Sequence, residues 1–269
     1  MKILFIYAHN KPEFWLDGLY GALQELARTN SVDFYNIFEN KGEFRLENYD
    51  FVLGWGAFGS PADEYIRRNR LKIGKCGLCI AGNTTRPFQA EKYDVLFYET
   101  NWVKEYLELA TVGVPLVKAF GINTNIFNRI EYATPIVYDY LGVGAFATWK
   151  RWDKFNSKKG MRLVVGEFQK NNQAESSTIV KDLMLNGTGV MPMVHPFDLA
   201  NLYHWSRTVY IPADVFGGGE RAVMEAISCG CSVEIEEDNP KLAEIVATGV
   251  VDHIEYAKQL EKGIKLCVS

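Results

Sequence analysis

Three glycines and an acidic residue stand where a predicted strand passes into a predicted helix. Gly217, Gly218 and Gly219 follow the apolar run Val209–Ile211 and directly precede Glu220. Glycines at such a point let backbone N–H groups approach an anion closely, and the helix N-terminus adds a partial positive charge. The pattern therefore predicts a phosphate or pyrophosphate site. The alternative is a flexible turn.

A second acidic residue, Glu225, lies within the same predicted helix, which spans residues 220–228. It stands four residues after Arg221. This spacing is also typical of a solvent-exposed ion pair on one helix face, worth a few tenths of a kcal/mol.

Polar loops follow two predicted strands in the N-terminal half, at residues 8–14 and 81–88. Ligands of open α/β sheets bind beyond the carboxyl ends of strands, so these loops are candidates for substrate contacts. The alternative is ordinary loop polarity. The candidate side chains are His9, Asn10, Lys11, Asn83, Thr84 and Arg86.

These segments belong to a chain in which short apolar runs alternate with amphipathic stretches. The rhythm predicts βαβ units, largely parallel sheets and two Rossmann-like α/β domains facing across a cleft. The Asn-rich segment 119–135 is the predicted boundary. We expect an N-terminal domain over residues 1–130 and a C-terminal domain over 131–252.

Composition and charge argue against several classes of function. The 269 residues carry a net charge of −4, so no overall basic field points to nucleic acid or an anionic membrane. Five cysteines, an odd number, favour a reducing compartment. Cys76 and Cys79 lie three apart in a predicted buried strand, on opposite faces, which argues against a metal or redox pair. No metal site is predicted. No apolar run is long enough to span a membrane and the N-terminus has no signal-peptide pattern, so the expected location is cytoplasmic.

The segment PADVFGGGERAVMEAISCGCSVE, residues 212–234, resembles the donor-site signature of glycosyltransferases with the GT-B fold, especially glycosyltransferase family 4. Other segments fall in the family's order, namely residues 93–107, 119–128, 140–151 and 202–214. The resemblance covers about residues 93–245. Residues 1–90 match only in rhythm. The resemblance implies that residues 1–130 form an acceptor-side domain and that residues 131–252 form a donor-binding domain. It also implies that the last helix, in 253–269, packs back on the first domain.

The resemblance assigns roles residue by residue. Glu225 would bind the donor ribose, and Gly217, Gly218 and Gly219 would face the diphosphate. The family's other acidic residue falls at Gly217, so Glu220 is the nearest substitute and a catalytic candidate. Asn83 stands where members often place a histidine and is the second catalytic candidate. Lys150 matches a basic residue on the diphosphate. The accompanying arginine falls at Ala145, and Arg151 is its predicted substitute.

The resemblance thus implies a glycosyltransferase that uses a nucleotide-sugar, retains configuration, and needs neither a metal nor a resident cofactor. The absence of an Asp-x-Asp motif agrees with metal independence. The acceptor is open between glycan, lipid, protein, small molecule and nucleic acid. A phosphorylated or nucleic-acid acceptor is suggested by a basic cluster, Arg67, Arg68, Arg70, Lys72 and Lys75. Two alternatives remain: a non-catalytic nucleotide- or glycan-binding protein, and a sugar-nucleotide epimerase.

Overall fold

The computed structural model describes residues 1–9, 17–39, 45–81, 90–109, 111, 113–130 and 134–268. The chain divides into two compact units. The first comprises Met1–Asn123 together with Val251–Ser269, and the second comprises Thr124–Val250. Each unit is built on a parallel sheet, which confirms the predicted α/β class with two sheet domains.

In the described part of the first unit, six parallel strands lie in the order β2-β1-β3-β4-β5-β6. The strands are β1 (Lys2–Tyr7), β2 (Ser31–Asn36), β3 (Phe51–Gly56), β4 (Cys76–Ile80), β5 (Val95–Tyr98) and β6 (Leu116–Lys118). The helices are α1 (Gly18–Leu26), α2 (Pro61–Arg68), α3 (Asn101–Glu108) and α9 (His253–Val268). The central strands are apolar throughout because helices cover both faces of a parallel sheet.

Strand β4 shows how the two faces of this sheet are used. Cys79 packs in the apolar core that includes α1 and α9, whereas Cys76 packs in the core on the other face. The predicted opposite orientation of the two cysteines is therefore confirmed. Burial raises the pKa of the Cys76 thiol to about 12, so the thiol stays protonated at neutral pH.

Helix α9 belongs to the first unit. Its buried residues Leu260 and Ile264 share one core with Leu19 and Leu23 of α1. The chain thus leaves the first unit after β6, builds the second unit, and returns. In the described part of the chain, no helix combines the length and the apolar character needed to cross a bilayer.

In the second unit, five described strands lie parallel in the order β11-β10-β7-β8-β9. They are β7 (Tyr138–Val143), β8 (Arg162–Gly166), β9 (Gly189–Pro192), β10 (Ser206–Ile211) and β11 (Ser232–Ile235). The helices are α4 (Trp152–Phe155), α5 (Gln173–Leu185), α6 (Pro196–His204), α7 (Glu220–Cys229) and α8 (Pro240–Thr248).

Helix α4 is the element that the sequence pattern did not predict. It is a single turn whose Trp152 and Phe155 are both buried in the core of the second unit. One turn is too short to show helical periodicity, so the sequence pattern gives no signal for this helix.

Candidate functional site

The strand order of the second sheet marks a place for a ligand. From β7 the sheet continues to β8 and β9 on one side and to β10 and β11 on the other. The connections therefore leave β7 and β10 in opposite directions, so the adjacent carboxyl ends of these strands form a topological switch point. Open α/β sheets bind ligands at such a switch point. The loop of residues 212–219, called the phosphate loop below, follows β10. Lys150 and Arg151, the basic residues predicted to bind the diphosphate, follow β7, so both segments reach the switch point.

The loop after β10 leads into α7 at this switch point. Gly218 and Gly219 have φ angles of +59° and +131°, which residues other than glycine rarely adopt. Gly219 is the N-cap of α7 and has no side chain to bond the N–H groups of the first turn. The N–H groups at the start of α7 carry the partial positive charge of the helix dipole, and the carboxylate of Glu220 accepts a hydrogen bond from its own N–H there.

Gly217 is constrained by space rather than by backbone angle. A Cβ atom at this position would lie 2.5 Å from the Trp149 carbonyl oxygen and 2.9 Å from the Ala213 Cβ. The similar family has a glutamate here. Because two backbone segments meet at Gly217, this chain has no room for a side chain at that point.

Lys150 brings a positive charge to the same loop. It ends a short 3₁₀ turn, Thr148–Lys150, after β7, and its ammonium donates a hydrogen bond to the Gly218 carbonyl at 3.0 Å. Its stem lies against Gly144, where an added Cβ would be 2.9 Å from the lysine Cε. Only 6% of the residue is exposed. Burial lowers the pKa of Lys150 to about 8, although the nearby Glu220 carboxylate opposes the shift.

Glu220, a predicted catalytic residue, is also buried at the start of α7. Its carboxylate lies 2.7 Å from the Lys241 ammonium of α8. Burial alone would raise the pKa of Glu220, but Lys241 outweighs it and the pKa lies below its usual value. The carboxylate is thus ionised and paired. Its catalytic role stays a prediction.

Arg151 holds backbone segments together. It is the one described residue other than glycine with a positive φ, +48°. Its guanidinium donates to the carbonyls of Pro212 and Ala213 at 2.7 and 2.8 Å. It also makes a bidentate pair with Asp238 at 2.6 and 2.8 Å. Arg151 therefore fixes the beginning of the phosphate loop against the loop before α8. Its predicted contact with a diphosphate stays a prediction.

Glu225 is not on a solvated helix face. Its side chain is 4% exposed and pairs with the half-exposed Arg221 at 3.4 Å. Its other oxygen accepts a hydrogen bond from the hydroxyl of Tyr203, a fully buried residue of α6, at 2.9 Å. The solvent-exposed pair considered from the sequence is therefore wrong, because α6 covers this side of α7. The predicted contact with the ribose stays a prediction.

Of the residues expected to contact the acceptor, the structure describes His9. It follows β1, next to β3 in the first sheet, and its ring centroid lies 4.6 Å from that of Trp55. Both line a small cavity of about 30 Å³ that also touches Tyr7 and Asp17. The order β2-β1-β3 places a switch point between β1 and β3. The other candidates for substrate contacts, Asn10, Lys11, Asn83, Thr84 and Arg86, lie outside the described residues.

The basic cluster predicted around α2 is largely matched by acidic partners. Arg67 pairs with Asp63 and Arg68 with Glu64, at 2.9 and 3.1 Å. Arg70 and Lys75 both pair with Asp94, at 2.9 and 3.2 Å. Three carboxylates thus lie against four of the five basic residues and lower the net charge of the cluster from five to two. The anionic acceptor stays a prediction.

Lys241 and Tyr203 contact the site but were not among the residues predicted from the sequence. Both are buried and bond to an acidic residue of α7. A lysine directly after the Asn239–Pro240 helix start looks like a solvated first-turn residue, and Tyr203 fits the apolar stripe of α6. Neither carries a local signal for its partner. Among the described residues, no group of three His, Cys, Asp or Glu side chains is placed to hold a metal ion.

Comparison with known proteins supports the fold. No family model and no curated protein matches the chain. Among solved structures, Anabaena HepE in complex with UDP and glucose aligns with a TM-score of 0.70 and 11% identity, over 99% of this chain and 100% of that one. AviGT4, a glycosyltransferase involved in avilamycin A biosynthesis, aligns with a TM-score of 0.66 and 12% identity, over 100% and 98% of the two chains.

A third structure, sucrose-phosphate synthase from Thermosynechococcus elongatus, aligns with a TM-score of 0.63 and 12% identity, over 100% of this chain and 95% of that one. A UDP-GlcNAc 2-epimerase from Neisseria meningitidis aligns less well, with a TM-score of 0.53. The fold of this chain is therefore that of GT-B glycosyltransferases, as the sequence resemblance implied.

Proposed function

We propose that this protein is a glycosyltransferase that takes a sugar from a nucleoside diphosphate sugar. The observation that carries the proposal is the meeting of Lys150, Gly218 and the start of α7 at the switch point of the second sheet. The similarity to HepE, whose structure contains UDP and glucose, supports UDP as the first nucleotide to test.

The site supplies what departure of a nucleoside diphosphate requires. Negative charge gathers on the leaving phosphate as the glycosidic bond breaks. A cationic ammonium and helix N–H groups fixed beforehand stabilise that charge without reorganising. Because Lys150 and the start of α7 already provide positive charge, we propose that transfer is metal-independent. Retention of configuration, as the family resemblance implies, is part of the same proposal.

Binding and turnover test this proposal with one pair of variants. Calorimetry should show UDP binding to the parent protein and at least a tenfold loss in Lys150→Met. Lys170→Met, which removes an exposed lysine of the same unit, should bind like the parent. Equal binding by all three proteins would contradict the assignment of Lys150.

A non-catalytic nucleotide-binding protein is the second candidate. It is favoured by Gly217, where the family's carboxylate has no room. The two candidates differ in whether UDP forms from UDP-sugars. Slow release of UDP and free sugar by the parent protein, lost in Lys150→Met, supports the transferase. UDP binding without turnover of any UDP-sugar or acceptor tried supports the binding protein. Conversion of the sugar with the nucleotide still attached identifies an epimerase.

A further inference from the structure

Three charged side chains are buried together beside the phosphate loop, and their charges do not cancel. Lys150, Glu220 and Lys241 are 6%, 5% and 4% exposed. Two are basic and one is acidic. A buried charge without a partner is costly, so such an excess persists only when the surrounding fold imposes it. The excess positive charge lies where we propose that a diphosphate binds.

The geometry determines which lysine is neutralised. Glu220 pairs directly with Lys241 at 2.7 Å, whereas Lys150 bonds to the uncharged carbonyl of Gly218 at 3.0 Å. Lys150 and Glu220 both lie beside Gly218. Lys150 bonds to its carbonyl, and a Cβ on Gly218 would lie 3.5 Å from a carboxylate oxygen of Glu220. Glu220 is thus close enough to act on Lys150 but is held by Lys241.

Other charges around Lys150 leave this arrangement in place. Asp214, in the loop after β10, favours the charged form of Lys150, and Arg221, in the first turn of α7, disfavours it. Asp214 also accepts a hydrogen bond from the Phe216 N–H at 2.9 Å, which turns its carboxylate toward its own loop. Lys241 therefore pairs with Glu220, the buried carboxylate that acts on Lys150.

We infer that Lys241 is a positioning residue for the nucleotide: it holds Glu220 away from Lys150 and so leaves the charge of Lys150 for the diphosphate. This inference rests on the proposed function. A merely structural role would be to fasten the start of α8 to the start of α7. The two roles differ in what happens when Glu220 loses its charge.

The test compares UDP affinity at pH 7 in three proteins. In Lys241→Met, Glu220 loses its partner and turns to Lys150, so we expect binding at least tenfold weaker. In the double variant Lys241→Met/Glu220→Gln, no carboxylate competes for Lys150, and affinity should return to within about threefold of the parent. A fastening role predicts no such recovery, because the double variant also lacks the ion pair.

A second measurement does not require nucleotide. NMR titration of ¹³C-labelled lysine ε-carbons follows Lys150 directly. In Lys241→Met the pKa of Lys150 should rise, because one repelling charge is gone and Glu220 is released. It should fall again in the double variant. If Lys241→Met does not fold, the double variant still decides: parent-like affinity supports the inference, and affinity as low as that of Lys150→Met overturns it.

The outcomes separate the inference from the proposed function. If the parent protein binds no nucleoside diphosphate, the proposed function fails and the inference fails with it. If the parent binds UDP and Lys150→Met does not, but Lys241→Met binds like the parent, the inference alone is wrong.

Discussion

If Lys150 binds the diphosphate as proposed, its buried ammonium makes nucleotide affinity depend on pH in a calculable way. Burial lowers its pKa to about 8 in the free protein. A bound diphosphate stabilises the charged form and raises that pKa again. Between the two values, each binding event takes up a proton, and affinity falls as the pH rises. With a free-state pKa of about 8, UDP affinity should be nearly constant up to pH 7 and about tenfold weaker at pH 9.

Isothermal calorimetry measures both parts of this prediction. Titrations in two buffers of different ionisation enthalpy give the number of protons taken up. That number should rise from about 0.1 at pH 7 to about 0.9 at pH 9. Lys150→Arg is the matched control because a guanidinium stays charged throughout. The control also corrects for titration of the uracil ring. Parent and Lys150→Arg curves that coincide from pH 7 to 9 would refute the assignment of a depressed lysine pKa to the nucleotide site.

Three further predictions concern the same site. Glu225→Gln should weaken UDP binding about tenfold with the fold intact, if its carboxylate reaches the ribose. Unchanged affinity with a lower free energy of unfolding would mean that Glu225 serves only its contacts with Tyr203 and Arg221. Gly217→Ala should lower the free energy of unfolding by about 1–3 kcal/mol, measured by chemical denaturation, because the new methyl group meets the Trp149 carbonyl. Gly74→Ala, where an added Cβ meets nothing within 4 Å, is its control and should change little. Turnover of UDP-sugar should survive EDTA, and loss of turnover that manganese restores would contradict the charge stabilisation proposed for Lys150 and α7.

The sequence by itself determined the parts of this protein that depend on local pattern. Apolar runs and helical periodicity located the strands and helices within a few residues. The helix predicted over residues 220–228 is observed as α7, Glu220–Cys229. The glycine run before Glu220 correctly marked the start of α7. Gly218 and Gly219 have positive φ angles, which glycine adopts far more readily than any other residue. The single turn α4 escaped because its pattern is shorter than one period.

Only the tertiary structure decided how the charged residues are used. Glu220 meets Lys241, Glu225 meets Tyr203, and Arg151 meets Asp238, each across different elements of the fold. No spacing in the sequence predicts these pairs, since the partners belong to separate helices and loops that only the packing of the fold brings together. The sequence also gives no sign that a side chain at position 217 lacks space, because that depends on the approach of the Trp149 carbonyl. Residue type fixes the charge of a side chain, but its partners and its exposure to water depend on packing between distant segments.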